Sequence, residues 1–333
     1  MKDCVELPIC EPIYGTYHFQ GAASALIVQN PSIRNWYLNE IMILQCNRKF
    51  LNGYTTPEIN IVGSYLHENP YIIREAYPMR FIKGQLNNVI KNMLNDGYYV
   101  LFIGIDDYYI EGKSWYRKKH FGHDGLICGY DRKEKTYSIL AYDSDWVYRV
   151  FKTSQKGFEQ GRKAMFREKS YGKIAALSVK QEQVKLDPGK ICQKLRLYLN
   201  SSLGKYPPYT DDTAYGIVVH DYIAMYLDKL YDGSIPHERM DRRVFRLIWE
   251  HKKVMLERIR VVEDELKLDH DISDSYEPLV KDADHIRMLY AAYHIKERKS
   301  SLAAIQKKLL NIKTSEKKIL EQFIETIEKE LSQ

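Results

Sequence analysis

Cysteine is scarce. Five residues, Cys4, Cys10, Cys46, Cys128 and Cys192, are spread over 333 positions with no C-x-x-C pair among them. An odd, sparse count excludes a disulfide framework and a zinc ribbon. No apolar run approaches the ~18 residues needed to span a bilayer. The opening residues MKDCVELPIC lack the basic-then-apolar order of a signal peptide. A soluble, cytoplasmic protein with no membrane partner is the expectation. Basic residues outnumber acidic ones by a net charge of +6, yet they are scattered among acidic neighbours rather than gathered on one face. No nucleic-acid partner is therefore expected. Internal repeats and low-complexity segments are also lacking.

What the chain does hold is enough apolar material, 44% of residues, for a packed globule. Its length suggests two domains. Residues 1–180 mix helix and strand signals. Gly21–Val28 reads as a short buried helix of small residues, and Trp36–Cys46 as either strand or helix. Residues 82–96 predict a helix with Leu86, Val89, Ile90, Met93 and Leu94 on one face and Gly97 as its stop. Tyr98–Ile105 predicts a buried strand, Val147–Phe151 another, and Ile174–Val179 the last. At Asp187-Pro188 the character changes, because Asp is a good N-cap and Pro suits the first helical position. In residues 241–269 an apolar stripe runs through Val244, Ile248, His251, Met255, Ile259, Val262 and Leu266. Leu320, Phe323, Ile327 and Leu331 repeat it. The stripe makes His251 a core histidine, with Asp241 or the surroundings of Glu250 as its partner, against the sharper reading of a contact lining the groove between domains; Asp241, Arg242 and Arg243 either cap that helix or pair with the sheet domain. An all-helical domain over residues 185–333 is predicted.

The most legible unit is the stretch HFGHDGLICGYDRKEKTYSILAYDSDW, residues 120–146. Two apolar runs, Gly125–Tyr130 and Tyr137–Tyr142, flank the charged string 131–135, as in an antiparallel hairpin. If it is centred on Lys133, His123 and Asp143 face each other with Cβ atoms ~4.5–5.5 Å apart. A carboxylate at that distance orients one imidazole nitrogen and leaves the other to move a proton. Asp145 is a second candidate partner if the hairpin is bulged. His120, His123, Asp124, Asp106 and Asp107 come nearest to a metal set, but His120 lies in the basic run 117–120 and a third soft ligand is missing, so no metal is expected.

The hairpin residues HDGLICGYDRKEKTYSILAYDSDW, with NMLNDGYYVLFIGIDDYYI before them, WYLNEIMILQC near the start and IPHERMDRRVFRLIWEHKKVMLERIRVVEDE in the second half, resemble the butirosin biosynthesis protein H family over nearly the full length. The resemblance implies an α+β fold: a papain-like N-terminal domain with an antiparallel sheet, related to bacteriocin-leader peptidases, followed by the helical domain. It implies amide-forming acyl transfer, from the phosphopantetheine thioester of an acyl or peptidyl carrier protein to a small amine, in the biosynthesis of a peptide-like natural product. His123 would be the base and Asp143 its orienting acid, with Gln20 donating to the oxyanion. No cofactor of its own is implied beyond the carrier's phosphopantetheine arm.

One element of that pattern is missing. The family places a Cys near the start of the first helix, and Tyr17–Leu26 contains none. Ala22 or Ala23 stands where the thiol is expected. Cys10 is the alternative nucleophile, with Cys46 and Ser24 weaker ones. Direct aminolysis without an enzyme intermediate is a further route. A non-catalytic scaffold that binds a carrier protein or peptide is the rival reading.

Overall fold

The computed structural model describes residues 2–53, 56–82, 84–166, 173–204 and 210–333. In chain order the first elements are β1 (Cys4–Glu6), α1 (His18–Ala25), α2 (Ile33–Glu40), β2 (Leu44–Asn47) and β3 (Asn60–Ile61). Then come β4 (Ile72–Pro78), α3 (Leu86–Asn95), β5 (Tyr99–Asp106), β6 (Gly122–Asp131), β7 (Thr136–Tyr142), β8 (Tyr148–Ser154), α4 (Gln155–Phe166) and β9 (Lys173–Val179). The rest are α5 (Pro188–Leu199), β10 (Thr213–Tyr215), α6 (Val219–Asp232), α7 (Val244–Leu266), α8 (Asp271–Lys296) and α9 (Ser300–Leu331). The predicted helix over 82–96 starts later, at Leu86, and Lys83 lies outside the described residues. Leu86, Ile90 and Leu94 of its predicted face are buried, and Gly97 ends it at φ +86°. Trp36–Cys46 is both things expected of it in turn, helix up to Glu40 and strand from Leu44.

The chain forms two compact units, residues 1–31 with 65–183 and residues 32–64 with 184–333. The first is built on an antiparallel sheet in the order β4-β9-β5-β6-β7-β8, with β1 paired to the far end of β6. Helices α3 and α4 cover one face, where Ile90, Leu94, Val100, Phe102, Ile127, Ile139 and Phe158 form the core. Burial of such side chains contributes about 1.5–3 kcal/mol each. Helix α1 lies against β6 and β7. It gets close because Gly21 has no side chain; a Cβ there would stand 2.4 Å from the Tyr148 ring.

The second unit is mainly helical, and the expectation of an all-helical domain is corrected. It carries a small antiparallel sheet, β10-β2-β3, and residues 32–64 belong to it rather than to the sheet unit. Ile174–Val179 is accordingly the last strand of its own unit only, because β10 follows it. The reason residues 32–64 fold here is the fully buried Arg258 of α7. Its guanidinium donates to the carbonyls of Leu38 (2.6 Å), Tyr37 (3.3 Å) and Ile41 (2.9 Å) at the C-terminal end of α2, where helix carbonyls run short of backbone donors. His251, also buried, has Nε2 2.8 Å from the Met42 carbonyl and Nδ1 3.4 Å from Lys252. It is a core histidine as the stripe predicts, with partners other than those expected. Lys252 pairs with Glu316 at 2.6 Å, both fully buried, and Tyr198 (2.8 Å) and Tyr276 (2.5 Å) donate to the same carboxylate. The Lys252 charge holds Glu316 down at about 2 against the burial that would raise it. Asp241 accepts from the Arg243 backbone N–H at 3.0 Å and from the Arg243 guanidinium at 2.8 Å, just before α7, whose N-cap position has no side-chain cap hydrogen bond.

Candidate functional site

The β6/β7 hairpin pairs Leu126 with Leu140 and Ile127 with Ile139, the register expected for a turn centred on Lys133. A bulge at Cys128 then moves the pairing by one, to Gly129 with Ser138 and Asp131 with Thr136. Extended the other way, the register would bring Asp143 opposite His123, but β7 ends at Tyr142. The Asp143 carboxylate is turned into the β7–β8 connection. Its Oδ1 accepts from the backbone N–H of Asp145 and of Val147, both at 2.9 Å, and Oδ2 is paired with Arg149. Asp residues bond their own backbone in this way wherever a tight turn lacks other acceptors. Asp143 is therefore not the partner of His123, and neither is Asp145, whose carboxylate lies 3.0 Å from the same arginine.

The carboxylate on His123 Nδ1 is that of Asp107. Asp107 follows β5 directly, in a short helical turn (Asp107–Tyr109) whose Tyr108 N–H is capped by the Asp106 side chain. Two glycines of α4 allow this turn to sit where it does. A Cβ on Gly157 would stand 2.5 Å from the Tyr109 carbonyl, and one on Gly161 would stand 2.9 Å from the Asp106 carbonyl. Asp107 is buried and receives no further hydrogen bond on Oδ1, where the buried Lys113 ammonium stands at 3.8 Å, an ion pair too long for a hydrogen bond. Burial pulls Lys113 below its usual range, against the carboxylates of Asp107, Asp124 and Asp143. The resulting chain is Lys113, Asp107, His123, with the His123 ring still 19% exposed and its Nε2 free of hydrogen bonds among the described residues. His120 makes a parallel pair with Asp106 at 2.7 Å, but that ring is largely in solvent. Among the described residues no three His, Cys, Asp or Glu side chains converge as a metal set.

The residue facing His123 from α1 is His18, the first of that helix, with ring centroids 5.5 Å apart. Tyr142 and Tyr148 meet the same ring edge-on at 5.1 and 5.6 Å. Burial foremost, then the charges of Lys113 and His123, hold His18 well below the ordinary histidine value, so the ring is neutral. Its Nδ1 is buried with no hydrogen-bond partner among the described residues. Ala22, where a thiol is expected, is one turn further along α1 and lines a cavity of about 160 Å³ with His18. Phe19, Leu66, Leu101 and Ile103 give that cavity apolar walls, and Arg74, His67 and Asp124 add polar groups. Asp124 accepts from the Gly104 N–H at 2.8 Å, and burial raises its carboxyl above the usual range.

The expected nucleophiles are elsewhere, and Gln20 stays on α1 between His18 and Ala22. Gln20 is fully buried inside α1, and its carbonyl takes the Ser24 hydroxyl at 2.9 Å. Ser24 is thus bonded to the previous turn. Cys10 donates to the carbonyls of Ser24 (3.6 Å) and Ala25 (3.3 Å), at the C-terminal end of α1. His18 is at the other end of that helix, ~10 Å away along its axis. Cys10 is therefore not set to be a nucleophile for His123. Cys46 and Cys128 are buried, and burial pushes both up to about 12; Cys192 is buried likewise, at about 11. Cys4 is on β1 at the opposite end of β6, paired with Asp131. None of the five thiols accompanies the histidine pair. Two members of the site escape the hairpin argument, Asp107 and His18. The sequence signals for them are the doubled acid after the β5 run and a histidine opening the first helix. Among the described residues no helix is long and apolar enough to cross a membrane. No family model matches the chain, and no curated protein does either.

Proposed function

We propose that the first unit is papain-like and performs amide-forming acyl transfer, from a carrier-protein thioester to a small amine, by direct aminolysis. His123 is the general base. Its Nε2 takes the amine proton as the amine nitrogen attacks the thioester carbonyl carbon. When the tetrahedral intermediate collapses, the C–S bond breaks, and the imidazolium returns the proton to the leaving thiolate of the phosphopantetheine arm. Asp107 holds the ring's tautomer and stabilises the imidazolium, as an orienting carboxylate does in hydrolytic triads. No enzyme-bound thioester forms.

The observation that carries this reading is the His123–Asp107 pair, part open and with one ring nitrogen unengaged, while every thiol of the chain is placed away from it. The second reading is a scaffold that binds the carrier and does no chemistry. It is favoured by Ala22, which stands on the first helix where the resemblance expects Cys and brings no nucleophile to the cavity. Single-turnover assays with an acylated carrier protein and an amine, read by intact mass, separate the two. Amide formation with no adduct on the protein, lost in His123→Ala, supports aminolysis. Binding of the carrier without transfer supports the scaffold, and an acyl adduct on any of the five cysteines refutes both.

A further inference from the structure

Beside His18 the cavity combines apolar walls with one cation and one anion, neither of which is in an ion pair among the described residues. Arg74 is exposed on β4, the edge strand of the sheet, and its side chain has no hydrogen bond or ion pair among the described residues. Asp124 spends one carboxylate oxygen on the Gly104 N–H and has no cation within salt-bridge distance. Between them are Phe19, Ala22, Leu66, Leu101 and Ile103. A volume of about 160 Å³ accepts a benzene-sized group. Pockets that hold small ligands have this make-up, mostly apolar with a few polar groups that fix orientation.

We propose that this cavity binds a free α-amino acid with a large apolar side chain, such as leucine or phenylalanine. The side chain occupies the apolar part, the carboxylate pairs with Arg74 and the ammonium with Asp124. Opposite unpaired charges at a single apolar cavity match a zwitterion; an uncharged acyl chain would use neither. That the bound amino acid is the amine acceptor rests on the function proposed above, whereas its binding does not.

The test is calorimetric titration of the full-length protein with L-phenylalanine, L-leucine, glycine, phenylalaninamide and 3-phenylpropionate. Phenylalanine and leucine are expected to bind at least tenfold more tightly than glycine, the amide or the deaminated acid. Arg74→Gln is expected to bring phenylalanine down to the affinity of the amide and to leave the amide unchanged. Asp124→Asn keeps an acceptor for the Gly104 N–H and is expected to bring phenylalanine down to the affinity of 3-phenylpropionate. Absence of phenylalanine binding up to about 10 mM overturns the proposal, as does an amide that binds as well as the acid or an Arg74→Gln protein with unaltered affinity. Tight binding of phenylalanine in a protein that transfers no acyl group leaves this inference standing and removes the acyltransfer reading instead.

Discussion

At the scale of single residues, the site depends on which of two buried carboxylates serves His123. Asp107 lies on the ring nitrogen, whereas Asp143 is occupied by two backbone N–H groups and Arg149. The two aspartates therefore separate by mutation. Asp107→Asn is expected to lower transfer by about 10²–10⁴-fold, because the ring loses its orienting acid. Asp143→Asn should stay within about tenfold of the parent, while Asp143→Ala costs about 1–3 kcal/mol from the turn's stranded N–H groups. Rate measurements that rank the two asparagine variants the other way would return the orienting role to Asp143. The sequence points to His123 and to the register that the lower hairpin adopts. It could not point to Asp107, because what chooses between the acids is the turn of the chain after Tyr142, a contest for backbone N–H groups that spacing does not record. His18 escapes for a related reason. A histidine between two aromatics reads as packing until the folded sheet brings His123 to it.

Elements place these residues through close contact. Helix α4 meets the Asp107–Tyr109 turn at Gly157 and Gly161, one helical turn apart on the same face. Gly161→Ala is expected to push α4 off Ile105 and Asp106, at a cost of about 1–3 kcal/mol. Because the same contact fixes Asp107, activity should fall along with stability. A variant with a lowered denaturation midpoint and full transfer rate at low temperature would show that α4 supports the sheet but not the site. Legibility was high here for periodic elements. The α7 stripe is buried from Val244 to Val262, and of the α9 stripe Leu320, Phe323 and Ile327 are buried and the terminal Leu331 is exposed. It was poor wherever one extra residue matters, as at the Cys128 bulge, since period-2 alternation is blind to a single insertion.

On the scale of the whole molecule, three fully or largely buried histidines govern the response to acid. Burial holds His220 down at about 3 and His18 and His251 well below the ordinary 6.5. The unfolded chain takes up protons at these rings below pH 6.5 and the folded chain does not, so stability is full above that value and falls as the pH drops. Each ring adds about 1.4 kcal/mol per pH unit. Glu316 acts in the same direction lower down; its contribution is complete above 4.5 and is lost as the pH falls through about 2. The urea midpoint should fall steadily from pH 7 to pH 5, and a flat profile would mean that the rings titrate in the folded protein.

The assignment of residues 32–64 to the helical unit was not legible, because a short apolar run does not declare which core it joins. Arg258 and His251 supply the answer by binding the carbonyls of Tyr37, Leu38, Ile41 and Met42. A fragment of residues 185–333 is therefore expected to keep helical circular dichroism but lose a sharp thermal transition. A transition as cooperative as that of the intact chain would contradict this. The same interleaving has a consequence for how the protein is made. Residues 32–64 leave the ribosome before all of 65–183, and the helices that hold them emerge only afterwards. At ~5–20 residues per second this apolar stretch waits on the order of ten seconds for its own core, during which a chaperone or the tunnel exit is its only shelter.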